Sequence, residues 1–213
     1  IANRLVGSEM CIRDRISGQA NQIMPCVLGH EGAGLVTSIG KEVNNVSVGD
    51  HVVLSWLPYC GKCYQCVRGK THLCKAYQTP VGNGTLLDGS CRFSNSAGPV
   101  RQLGSLGCWS ENVVVPEVCC VPVDKSIPFE IAALLGCAVT TGVGAVLNRA
   151  KVQNGETVVV IGAGGVGLSV VMAAKLKGAS KVICIDQNIS ARNLAIKLGA
   201  TCLLYTSPSP RDG

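Results

Sequence analysis

The sequence predicts two units in tandem: a β-rich unit forming a small, partly open barrel, then an α/β unit built on a parallel sheet. Three observations carry this. Between residues 34 and 123, short apolar segments (GLVTSIG, HVVLS, ENVVVP, VCCVPV) are separated by glycines and turn residues, as in all-β units of short strands. After Pro128 the pattern changes to strands alternating with helical stretches, which implies βαβ units. Within that second part, a β-branched strand signal runs directly into a glycine-rich turn and a helix, Gly162-Ala163-Gly164-Gly165-Val166-Gly167.

The expected elements follow in order. Residues 75–107 are rich in Gly, Ser, Asn and Thr and read as a long excursion from the barrel. Helices are expected over 129–135 and 139–149. A strand follows at 157–161, a helix at 166–177, a strand at 181–186 and a helix at 190–198. The boundary between the units is expected near Gly136, giving domains of 16–136 and 137–201.

Composition narrows the possibilities. Of 213 residues, 47% are hydrophobic and 15% charged, which excludes a disordered chain and leaves room for one large or two small domains. Thirteen cysteines are well above ordinary usage yet too dilute for a short disulfide scaffold. No basic segment followed by an apolar run and a cleavage site is present, so an intracellular chain holding thiols or metal is expected. Two uncharged runs, 131–148 and 157–174, each span 18 positions, near the minimum for a membrane helix. The second contains four glycines after a strand signal, so a buried strand turning into a buried helix is expected, and no membrane partner.

The ends read differently. Residues 1–15 and 202–213 carry no period that joins their neighbours. Both resemble translated sequencing-adapter tails, particularly in VGSEMCIRD and LLYTSPSPRD, and they are expected to be non-native segments outside the fold.

The segment CGKCYQCVRGKTHLC places Cys60, Cys63, Cys66 and Cys74 at C-x2-C-x2-C-x7-C. The x2 spacings let neighbouring thiolates converge on one ion, and a fourth ligand seven residues on closes a tetrahedron. Four protein ligands leave no open position, so a structural zinc site is expected. An iron–sulfur cluster is the rival reading, although the x3-C-P continuation of ferredoxins is absent. Buried, unliganded thiols are the plain alternative. His72 lies within this lobe but a completed four-cysteine set does not need it. The net charge of +6 counts thiols as neutral; four thiolates and one Zn²⁺ would lower it to +4. With Lys and Arg scattered and only 4% aromatics, no nucleic-acid partner is expected.

Upstream, Gly29-His30-Glu31-x2-Gly34-x5-Gly40-x2-Val43 precedes Gly49-Asp50-x-Val52, and downstream Gly136-Cys137 is followed by Thr140-Thr141-Gly142. Taken alone, His30 reads as an interior histidine and Cys137 as a small core residue. Together with the cysteine lobe and their intervals, these segments resemble the zinc-dependent medium-chain alcohol dehydrogenases over nearly all of 16–201. The resemblance implies a GroES-like catalytic domain followed by a Rossmann domain, each truncated, in a full-length homodimer or homotetramer located in the cytoplasm. It implies a catalytic zinc held by His30 and Cys137, with Glu31 behind the ion, in addition to the structural zinc. A further cysteine ligand and a hydroxyl proton relay are expected upstream. Cys11 stands near that place, but its interval to His30 is two short and Arg13 occupies the relay position, so Cys11 is read as accidental.

The glycine loop supports a dinucleotide. Gly162, Gly164, Gly165, Val166 and Gly167 form the G-x-G-x-x-G turn in its confirming strand–helix context, with phosphates expected at the helix N-terminus. Asp186 ends the next strand, where a carboxylate accepts from ribose hydroxyls and repels a 2′-phosphate, which favours NAD over NADP. By the resemblance, Thr141 and Val166 lie against the nicotinamide end, and Trp56, with Leu57 beside it, walls the substrate pocket; ordinary core is the alternative for Trp56. The expected function is NAD-linked oxidation of a primary or secondary alcohol to an aldehyde or ketone. A glutathione-dependent formaldehyde dehydrogenase branch, or an inactive zinc-stabilised nucleotide-binding fragment, remains the alternative.

Overall fold

A computed structural model of the chain describes residues 10–19 and 21–205, with side chains from Arg13 onward. The chain divides into two units, Ile1–Cys137 and Ala138–Gly213, each with its own apolar core.

The first unit runs α1 (Met10–Ile16), β1 (Cys26–Val27), β2 (Gly32–Leu35), β3 (His51–Leu54), α2 (Tyr64–Val67), α3 (Lys75–Asn83), β4 (Phe93–Asn95), β5 (Gly98–Gln102), β6 (Cys120–Pro122) and α4 (Phe129–Ala132). Two three-stranded sheets result, in the orders β2-β3-β6 and β1-β5-β4, and the described residues form no closed barrel. β2 and β3 are antiparallel, with Gly32 opposite Leu54 and Leu35 opposite His51. β3 is central, and its HVVL sequence reflects that: Val52, Val53 and Leu54 are all buried, because both faces are covered. On one side lie Val36, Val46, Leu106, Cys108 and Cys119. On the other, a 3-10 turn after α4 (Ala133–Gly136) brings Gly136 against Leu54.

Two expectations for this unit are corrected. The polar stretch 75–107 is no bare excursion: it holds α3 and the β4–β5 hairpin, in which Phe93 pairs with Val100 and Asn95 with Gly98. Its two fully buried polar side chains, Gln102 and Ser105, bond to backbone groups. Buried Gln102 donates to the Ser105 carbonyl at 2.9 Å and accepts from the Arg92 amide at 3.2 Å, and Ser105 Oγ donates to the Thr85 carbonyl at 2.8 Å. Conversely, 111–116 forms no strand. Val113 is buried in the core beside exposed Val114, but the run joins no ladder and ends at Pro116, which has no N–H to donate.

The second unit contains α5 (Ala138–Gly144), continued by a π-helical turn (Ala145–Ala150), then β7 (Thr157–Ile161), α6 (Gly165–Leu176), β8 (Lys181–Ile185), α7 (Ile189–Leu198) and β9 (Cys202–Leu204). The strands form one parallel sheet in the order β7-β8-β9, with Thr157 opposite Lys181 and Ile183 opposite Cys202. Val160, Val171, Val182, Cys184 and Ala195 make its core. Asn188 caps α7, its side chain accepting from the amides of Ser190 and Ala191.

The first unit ends at Cys137 and the second begins at Ala138. Gly136, next to that boundary, is pressed on β3 at Leu54. Two elements occupy segments that the sequence places outside the fold. α1 extends back to Met10, and β9 pairs with β8 while Leu203 packs on the core, since a chain returning from α7 reaches a free parallel edge there. The side chain of Cys11 and residues 206–213 lie outside the described residues. Among the described residues, no single helix is long and apolar enough to cross a membrane.

Candidate functional site

The cysteine lobe assembles as its spacing predicts. Gly61 and Gly69 turn the chain, and α2 lies between Cys63 and Cys74. The four sulfurs of Cys60, Cys63, Cys66 and Cys74 all lie within 4.8 Å of one another. A tetrahedral zinc with bonds of about 2.3 Å needs sulfur separations of about 3.8 Å, so the set fits this ion with small adjustments. Cys63 and Cys66 Sγ are already 3.5 Å apart, and the Cys60 amide donates to Cys74 Sγ at 3.3 Å. Backbone N–H groups favour the thiolate, the form that ligates metal. The amide of Cys66, then that of Lys75, draws the Cys63 thiol down to about 6. The amides of Lys62 and Cys63 lower that of Cys60. Burial pushes Cys66 up to about 11. Tyr77 and Val81 of α3 cover the lobe with apolar surface.

His30 is placed by β2 and β3. It stands two residues before Gly32, whose partner is Leu54, and Trp56 stands two residues beyond Leu54. The extended register therefore sets His30 opposite Trp56. Their rings meet edge to face, 5.9 Å between centroids at 80°. His30 and Glu31 are buried, and burial, followed by the charge of Arg15, holds the imidazole below its ordinary pKa. Neutral imidazole is the metal-ligating form.

Cys137 reaches the same end of the ladder by another route. A Cβ on Gly136 would lie 2.6 Å from the Leu54 carbonyl oxygen, so the backbone entering Cys137 is packed against the strand residue that pairs with Gly32. Cys137 interrupts the helical path, with φ −146° and ψ −71°. His30 and Cys137 could supply two donors to a metal. Among the described residues, the four-cysteine set is the only group of three or more metal-binding side chains gathered together. Leu57, beside Trp56, is 39% exposed and lines a depression with Ser55, Tyr59, Thr71 and His72 on the lobe side.

A support for His30 has no local sequence signal. The amides of Cys108 and Trp109 donate to the carbonyls of Gly29 and Leu28 at 3.0 and 2.9 Å, clamping the chain just before His30. Gly29 has φ +89°, and a Cβ there would lie 2.7 Å from the Trp109 amide nitrogen. Any other residue would strain the turn and push the clamp away. Cys108 is fully buried, its thiol pushed up to about 12 by burial and then by Glu31.

In the second unit, Gly162 has φ +93° and its amide donates to the Ile185 carbonyl at 2.8 Å. A Cβ on Gly167 would overlap the Gly162 carbonyl oxygen, so α6 starts hard against the turn, whereas a Cβ on Gly164 would meet only open space. That arrangement fits a pyrophosphate approaching backbone N–H groups at a helix N-terminus. Gly165 and Val166 open α6. On α5, exposed Thr141 adjoins Gly142, where a Cβ would lie 2.6 Å from the Val166 carbonyl oxygen. Asp186 follows β8, with its carboxyl held below the usual carboxylate range by the amides of Ala163 and Asn188.

The alcohol dehydrogenase GroES-like domain family matches residues 4–125, more than half of the chain and a span that begins within the first 15 residues. The chain is 48% identical over 180 residues to the S-(hydroxymethyl)glutathione dehydrogenase of Saccharomyces cerevisiae, covering 84% of this chain and 47% of that protein. The protein of the same name from Synechocystis is 44% identical over 179 residues, covering 84% and 48%. Among solved structures, benzyl alcohol dehydrogenase from Acinetobacter calcoaceticus superposes with a TM-score of 0.80 at 36% identity, covering 95% of this chain and 53% of that one. An alcohol dehydrogenase zinc-binding domain protein from Burkholderia ambifaria gives 0.81 at 35%, covering 92% and 52%. The chain thus spans about half the length of the curated relatives it matches.

Proposed function

Because the chain belongs to the zinc-dependent medium-chain alcohol dehydrogenases, we propose that the intact protein oxidises a primary or secondary alcohol to an aldehyde or ketone with NAD. The observation that carries this is the meeting of the His30 and Cys137 segments at one end of the β2–β3 ladder, at Leu54. When bound, zinc supplies Lewis-acid polarisation of the alcohol oxygen and NAD supplies the hydride acceptor. His30 offers a neutral imidazole and Cys137 a thiolate to the catalytic ion, with buried Glu31 behind them. Trp56, fixed edge-on to His30, walls the substrate side and excludes water. Cys60, Cys63, Cys66 and Cys74 hold the second, structural zinc. The turn at Gly162, Gly164, Gly165, Val166 and Gly167 receives the pyrophosphate, Asp186 the adenosine ribose, and Thr141 and Val166 the nicotinamide end.

The 213 residues alone bind metal and nucleotide without turnover in this reading, since among the described residues only His30 and Cys137 are read as donors at that end. The intact protein works as a homodimer or homotetramer in the cytoplasm. Its thiol-rich composition suits that compartment, and no disulfide forms among the described residues.

The test is His30→Ala in the intact protein. Turnover should fall by several orders of magnitude while the lobe's zinc and NAD binding persist. Near-normal turnover per folded, NAD-binding molecule would overturn the mechanism. The name shared by the yeast and Synechocystis relatives favours a second reading, in which the alcohol is the glutathione adduct of formaldehyde. Comparing kcat/KM for S-(hydroxymethyl)glutathione with that for a simple primary alcohol separates the two.

A further inference from the structure

Both carboxylate oxygens of Asp186 accept from backbone. Oδ2 takes the amide of Ala163 at 2.7 Å, and Oδ1 takes the amide of Asn188 at 2.7 Å. Ala163 is the second residue of the glycine turn and is 3% exposed. One side chain therefore ties the turn to the segment that leads into α7. Asp186 is itself held. Its amide donates to the Leu204 carbonyl at 3.2 Å, and Arg192 Nη1 donates to the carbonyls of Asp186 and Gln187 at 2.6 and 3.0 Å.

We infer that Asp186 is a positioning residue for the glycine turn, latching Ala163 so that the neighbouring backbone is set for the phosphates before the ribose arrives. The inference rests on the proposed reading of this turn as the dinucleotide pyrophosphate cradle. The three residues before α6 include two glycines, Gly162 and Gly164, with conformational freedom to lose, and ordering them at the moment of binding would weaken affinity. An N–H bond to a carboxylate is about twice as strong as a neutral one, which suits a latch. Each carboxylate oxygen has two lone pairs. The backbone amides use one on each, and the others remain for ribose hydroxyls. A single side chain thereby couples the two halves of the cofactor site: it orders the phosphate-binding turn and recognises the sugar.

The test uses the full chain and two probes, ADP and 2′,3′-dideoxy-ADP, which keeps both phosphates but lacks the hydroxyls that Asp186 would recognise. For the latch, Asp186→Ala should weaken dideoxy-ADP by about tenfold and speed hydrogen exchange at the Ala163 amide. Unchanged dideoxy-ADP affinity overturns the latch. If ADP is weakened in that case, the ribose reading stands; if ADP is also unchanged, both fail. Failure of the unaltered chain to bind either probe would overturn the cradle reading and the inference with it. Asp186→Asn, which keeps the shape and one good acceptor, should fall between wild type and alanine for dideoxy-ADP. Should the alanine variant not fold, unchanged dideoxy-ADP affinity in Asp186→Asn overturns the latch.

Discussion

The cysteine lobe and the His30 end of the first unit are built on opposite plans. The four cysteines of the lobe fall within 15 consecutive residues, and local turns suffice to bring their sulfurs within 4.8 Å. His30 and Cys137 are 107 residues apart and approach one ladder end only through β3, whose Leu54 is opposite Gly32 and beneath Gly136. The difference concerns what each region depends on. The lobe needs its own ligands and their ion. The His30 end needs strand register, since a slip of one residue would turn His30 to the other face of the sheet. It also needs close backbone packing.

The largest effect is expected in the lobe. Cys63→Ser should remove one zinc per chain, and the 60–81 segment should become protease-sensitive while the β2–β3 ladder survives, because metal binding and folding are coupled in such a lobe. Metal analysis showing no loss would break the contrast between self-contained and distributed sites. A smaller effect is expected at Gly136→Ala. Its methyl would meet the Leu54 carbonyl at 2.6 Å with backbone on both sides, costing about 1–3 kcal/mol. The thermal midpoint should drop by roughly 2–4 °C per kcal/mol while the lobe keeps its zinc. An unchanged midpoint would show that the Gly136 contact does not govern this end of the ladder. The smallest is Trp56→Leu. It loses the edge-to-face contact with His30, about 1 kcal/mol by denaturant midpoint, again with no loss of lobe metal. Metal loss there would mean that the two regions are coupled after all.

What could be read from the sequence follows the same division. The cysteine spacing and the glycine turn are local patterns, and each folds as the residues predict. β3 was legible because HVVL is a short apolar run between turn signals. The hairpin Phe93–Asn95 and Gly98–Gln102 was not, because polar side chains here are satisfied by backbone groups of other residues: Gln102 accepts from the Arg92 amide and Ser105 Oγ donates to the Thr85 carbonyl. Val113 to Val115 carry strong strand propensity but find no ladder, since propensity cannot supply a neighbour. The clamp of Cys108 and Trp109 on Gly29 and Leu28 joins segments about 80 residues apart through main-chain groups, which leave no imprint on side-chain pattern.

The glycines of the turn proposed to receive the nucleotide differ in the alphabet each would accept under selection. At position 167 every side chain collides with the Gly162 carbonyl, so no substitution should pass. Position 162 has room but a left-handed backbone, which asparagine tolerates best among the rest. Position 164 has neither obstacle, so alanine there should leave folding untouched. A library of variants sorted first for folding and then for nucleotide binding would therefore retain residues at 164 in the first round and discard them in the second. Under the proposed cradle reading, that is how a position kept open for a ligand reveals itself when the fold makes no demand on it.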